Sequence, residues 1–279
     1  MLTSRRPKPA NAYSNNSTSD RIGISDESHY GHRWVSGRSA NGDNPRQRGM
    51  LVTSRSLDFY RENWPRVGAV FGMAVGGATV LASRKKLVNL RAVSAMNLIA
   101  LAVHQYEEYV DPGYFPGHLN RGVMRSGQPR NYPLNRQSSL CINTALAYPF
   151  YIAPIVFPAI KWLGLPPVLF GIAQAVDHGI VLPGIARVKY SPGFLAAILL
   201  HVPIGISYIA VLRGQGPIDR STWRKSIAVM VLFLIGLVTT FIRGIDKNSP
   251  YAFSAKQMGH HDAETSQVPA NAHAPNAIG

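Results

Sequence analysis

Apolar residues in this chain gather into six runs, near residues 67–83, 87–109, 139–162, 165–186, 192–212 and 226–242. Each approaches the roughly 17 to 25 helical residues that cross the apolar core of a bilayer. The stretches from Ser138 to Ile160 and from Ser226 to Ile242 carry no charge, and the second is bounded by Arg224, Lys225 and Arg243. Only helices and closed barrels satisfy every backbone group inside lipid, so long apolar runs predict an all-α, polytopic transmembrane helical bundle. It has about six spans, or five if the short first run does not cross. Gly68, Gly72 and Gly76 share one stripe of that run at four-residue spacing, a surface on which a neighbouring helix approaches closely. Pro149, Pro154 and Pro158 predict a kink in the third run.

Outside the runs the chain changes character. Residues 1–56 are rich in Ser, Asn, Arg, Gly and Pro without a sustained apolar period, and read as a disordered basic tail. Residues 57–243 form the predicted transmembrane domain, and residues 244–279 read as a second polar tail.

Charge refines this picture. The chain holds 29 Lys and Arg against 14 Asp and Glu, a formal +15 that by itself would point to nucleic acid. Position decides otherwise: residues 67–243 contain 16 basic and 5 acidic residues, the basic ones mostly between apolar runs. That is the membrane pattern, so lipid and not nucleic acid is the expected partner. Counting Lys and Arg near the span ends gives 12 on one face and 9 on the other, which places both termini in the cytoplasm. The single cysteine, Cys141, excludes an intrachain disulfide framework and a Cys-based zinc site, and reads as a small buried hydrophobe.

Ionisable groups inside spans are costly, so each marks a candidate site. Asp219 and His118 fall in predicted loops and are set aside. The second run contains His104-Gln105-Tyr106-Glu107-Glu108, with the glutamates at i+3 and i+4 from the histidine and Asn97 one heptad earlier on the same stripe. The fourth carries Gln174, Asp177 and His178, and the fifth carries His201. Runs two and four point the same way and run five starts where run four ends. His104, His178 and His201 therefore lie roughly 8, 12 and 15 Å from one membrane surface, within one leaflet. Tyr190-Ser191-Pro192-Gly193 opens the fifth run: Ser191 suits a cap, Pro192 the first turn and Tyr190 the interface, where its hydroxyl can orient a substrate or donate a proton.

An HxxEE sequence, a later histidine at His178 and a YxPG sequence at Tyr190 to Gly193 together resemble the HXXEE-domain membrane proteins. The resemblance covers roughly residues 90–212. It implies a helical membrane fold and a site at His104, Glu107, Glu108, His178, Tyr190, Pro192 and Gly193, but no reaction. His201 and Asp177 rest on the topology alone.

These residues point first to an enzyme acting on a lipid-like or hydrophobic small molecule. His104, Glu107, Glu108 and His178 would hold a divalent metal (Fe, Zn or Mn) or share acid and base work, with Tyr190 at the catalytic site. Asn97, Gln174, Asp177 and His201 would contact substrate or support those groups. Adjacent glutamates followed by histidines also resemble intramembrane prenyl-protein proteases, whose pattern has Arg where Pro112 stands here. Buried His and carboxylate groups also build proton-coupled transporters, the alternative of a different class.

Overall fold

The computed structural model describes residues 45–84, 88–243 and 249–262; the expected N-terminal tail through residue 44, and the C-terminal tail at 244–248 and beyond 262, lie outside the described residues. Six long helices account for the six apolar runs. They are α1 (Pro45–Ala82), α2 (Leu90–Tyr109), α3 (Arg136–Val156), α4 (Lys161–Ala186), α5 (Phe194–Gly214) and α6 (Arg220–Arg243). No strand occurs among the described residues. The first helix is far longer than its apolar run, starting at Pro45 within the stretch expected to be tail.

The chain is an all-α polytopic membrane bundle. Residues Arg55–Ala82 of α1, together with α3, α4 and α5, are long and apolar enough to cross a membrane. Val70, Leu81, Ile180, Leu199 and Leu232 stand exposed on the outside of the helices, where lipid rather than water accounts for them.

Helix α2 occupies the middle. Asn89 caps it, its side chain accepting the Ala92 N–H at 2.9 Å. Ala95, Leu98 and Ala100 are wholly buried against the surrounding helices. The glycine stripe of α1 packs here. A Cβ at Gly72 would lie 2.6 Å from the Ala102 Cβ, and one at Gly76 would lie 2.5 Å from the Ile99 side chain and 2.9 Å from the Ala95 carbonyl oxygen. Only glycine lets the two backbones come so near.

Helices α3, α4 and α5 each contain a widened π turn, at Cys141–Leu146, Asp177–Val181 and Ala197–His201. Each is followed within three residues by proline, at Pro149, Pro183 and Pro203. Proline lacks an N–H and its ring crowds the carbonyl one turn back, a conflict that a widened turn relieves. Helix α3 stops at Val156, short of the expected 162, because Pro158 disfavours helical geometry at Phe157.

Two stretches expected to be loop or tail are packed. Residues 115–123 form a buried helical segment. Residues 249–262 fold back on it, and Phe253 and Met258 join a core cluster with Trp64, Tyr109, Phe115 and Leu134. A Cβ at Gly117 would collide with the Met258 carbonyl oxygen, so the two backbones touch. Backbone bonds from Phe253 to Arg130 and from Arg136 to Tyr251, both 2.9 Å, and an Arg130–Asp262 ion pair of 2.5 Å hold the segment down.

Candidate functional site

The last turns of α2 carry the site. As the i+3 and i+4 spacing requires, both glutamates flank His104, but they point to different partners. Glu108 Oε1 lies 3.6 Å from His104 Nε2 and 3.5 Å from His178 Nε2. The two imidazoles meet edge to face with centroids 4.9 Å apart, and all three side chains are buried. Each residue offers a donor atom lying within 4.8 Å of the other two.

Those separations exceed the usual hydrogen-bond range of roughly 2.7–3.2 Å. They match the separation of about 3.4 Å between two donors each about 2.1 Å from one tetrahedral cation. Two imidazoles and one carboxylate form a donor set that can coordinate a divalent ion, with iron, zinc and manganese all compatible.

The supporting contacts come from the YSPG turn and from α4. The Ser191 hydroxyl sits 3.1 Å from His178 Nδ1 and so fixes the ring with Nε2 toward Glu108. Gly193 has φ of 105°, and a Cβ on it would lie 2.7 Å from His178 Cε1 and 2.8 Å from His104 Cε1. Both its backbone angle and this clearance demand glycine. From α4, Gln174 Nε2 reaches to 3.3 Å of His104 Nε2.

Glu107 turns away from the histidines. Its carboxylate accepts the N–H groups of Leu195 at 3.2 Å and Ala196 at 2.8 Å, and also the Tyr190 hydroxyl proton. These amides belong to the first turn of α5, where N–H groups have no partner within the helix and the dipole favours negative charge. Burial, then the bond to Glu107, raises the Tyr190 pKa above the usual phenolic value. Asn97 Oδ1 lies 2.9 Å from His201 Nδ1, and the His201 ring is 5.6 Å from that of His104. The three histidines thus share one depth, as the topology predicts.

Beside the cluster lies a cavity of about 300 Å³. Leu101, Phe115, Phe170, Leu182 and Phe233 form apolar wall, and His104, Glu108, Gln174, Asp177 and His178 line the polar end. Tyr190, Glu107, Asn97 and His201 do not line it.

Several residues here carry no signal in the sequence reading. Gln105 donates to both the backbone and side-chain oxygens of Asn143 at 3.2 Å, and both residues line the cavity. Asn143 interrupts a charge-free span, and that interruption is the one signal the sequence offers for it. His118, set aside as a loop residue, is fully buried. Burial, with His261 and His260 adding to it, pushes its pKa down to about 4. Asn143, Asp177, His178, His201 and His118 all sit on π turns, which recur where helices carry chemistry.

A polytopic helical bundle with a buried His/His/Glu cluster inside the membrane region defines the class of this protein. Within it, residues 95–208 match the model of a family described as protein of unknown function with HXXEE motif. No curated protein and no solved structure matches the chain.

Proposed function

We propose that this protein is a membrane enzyme acting on a lipid-like or hydrophobic small molecule. The observation that carries the reading is the His104, Glu108 and His178 cluster at the polar end of a mostly apolar cavity. At about 300 Å³ the cavity meets the lower end of the roughly 300–1,000 Å³ range of small-molecule pockets. Its apolar walls accept a hydrocarbon body and leave the reacting group against the histidines.

His104, Glu108 and His178 would hold a divalent ion, which when bound supplies a Lewis-acid centre. The chain's own groups also move protons: Glu108 lies between two imidazoles, so one proton can pass among them and to a substrate atom at the cavity end. Gln174 and Asp177 face the same end and orient the substrate's polar group. Ser191 positions His178. Glu107 and Tyr190 act as positioning residues, tying the HxxEE turn to the start of α5, and Asn97 with His201 supports His104 from deeper in the bundle.

In this reading α2 and α6 also cross the bilayer, giving six spans. The face that carries residues 110–135 and 187–193 holds the excess of basic residues and is the cytoplasmic one.

The test pairs metal analysis of the detergent-purified full chain with lipid-extract turnover followed by mass spectrometry, for the wild type and for His104→Ala, Glu108→Ala and His178→Ala. Stoichiometric metal and turnover lost together support coordination. Turnover by metal-free protein, lost in the same variants, assigns acid and base chemistry. Turnover that survives all three substitutions overturns the site.

A further inference from the structure

A second pocket, of about 300 Å³, opens at the end of α4 and shares no lining residue with the apolar cavity. Arg121, Arg125, Arg187 and His261 face it, with Gly122 beside them, and no acidic side chain lines it. We propose that this pocket binds a phosphate group, and that the phosphate belongs to a membrane lipid headgroup.

Charge is the first support. Arg125 and Arg187 have no ion-pair partner among the described residues. The Arg125 and Arg187 guanidinium groups beside one space repel one another until an anion enters. Their planar forks match phosphate oxygens with paired hydrogen bonds.

Backbone geometry is the second and independent support. Among the described residues, the only non-glycine positions with positive φ are Arg125 at 52° and Arg187 at 58°. Both arginines line this pocket. Arg187 follows Ala186, the last residue of α4, in the left-handed conformation where helices usually place glycine. A side chain held at such a position, twice over and toward one space, marks a functional demand on the arginines themselves.

Location selects the lipid. The pocket lies at the end of a membrane-spanning helix, beside the exposed Ile185 and one turn beyond the exposed Ile180 and Val181. A headgroup phosphate of the adjoining leaflet comes to that level. The floor is rigid: Gly122 is packed so that a Cβ would lie 2.8 Å from the Ala186 Cβ and 3.2 Å from His261 Nε2.

The experiment titrates the full chain in neutral detergent with phosphatidic acid and counts retained lipid by native mass spectrometry. Arg125→Gln combined with Arg187→Gln should weaken retention by at least roughly tenfold. Arg213→Gln, at the opposite end of α5, should leave it unchanged. Arg187→Gly separates folding from binding: it relieves the backbone, so the thermal midpoint should rise while lipid retention falls. Inorganic phosphate provides the other arm; arginine-dependent protection by phosphate, with no arginine-dependent lipid retention, assigns the site to free phosphate and overturns the lipid source. Equal phosphatidic acid retention in wild type, the double variant and Arg187→Gly overturns the site.

Discussion

The Glu107 carboxylate accepts the backbone N–H of Ala196 at 2.8 Å, so the first glutamate of the HxxEE sequence closes the open end of α5. Its neighbour Glu108 faces the two histidines instead. Adjacent residues of identical chemistry thus hold separate roles, one in joining helices and one in the cluster.

Glu107→Ala leaves two amides and a phenol without their acceptor. Hydrogen bonds to charged groups contribute roughly 1.5–3 kcal/mol each, so the variant should lose about 3 kcal/mol or more of stability. Glu108→Gln should change stability by less, because it keeps the shape, and should abolish metal retention. Thermal unfolding and metal analysis on the same preparations separate the two, and equal loss of both properties in both variants would contradict the division.

Gly193→Ala places a methyl within 2.8 Å of both imidazoles at a backbone angle that disfavours any side chain. The rings must part. Metal retention should fall at least tenfold. Gly184→Ala, where a Cβ meets nothing within 4 Å, serves as the control.

Gly72→Val and Gly76→Val should force α1 from α2, each costing about 1–3 kcal/mol by overpacking. Gly77 lies beside Gly76, but a Cβ there would meet nothing within 4 Å, so Gly77→Val should cost markedly less. Thermal midpoints of the three variants check the contrast. A similar loss in Gly77→Val would mean that helix propensity, not packing, decides.

His118 makes stability fall in mild acid. Its folded-state pKa, pushed down to about 4, lies below the unfolded value of roughly 6.5, so the unfolded chain takes up the proton first. Its contribution is whole above the unfolded value and is lost as pH falls toward the folded one. The drop in thermal midpoint between pH 7 and pH 5 should be smaller in His118→Gln than in the wild type. An unchanged drop would assign the acid sensitivity elsewhere.

Much of this molecule is legible in its sequence, for a definite reason. Lipid gives apolar runs a length requirement, which is why the second, fourth and fifth runs coincide with α2, α4 and α5 to within a few residues. The same requirement fixes depth, and depth brought His104, His178 and His201 together before any contact was visible. What hydropathy does not encode is the direction of a side chain at the end of a helix. Glu107 and Glu108 differ by one helical step, and the partner amides of Glu107 come from residues 195 and 196. Ser191 and Gly193 look like ordinary cap and turn residues until the histidines beneath them are seen. Phe253 and Met258 are lone apolar residues in a polar stretch, so no period announces that they pack.

That last segment sets an order of events. Phe115 walls the cavity, its ring 5.4 Å from that of His178, and is itself buttressed by Phe253 and Met258. Residues 249–262 follow α6 in the chain and so leave the ribosome after all six helices. The histidines are therefore made into an unfinished chamber, and the wall beside them is completed only after the segment that follows the last helix has emerged.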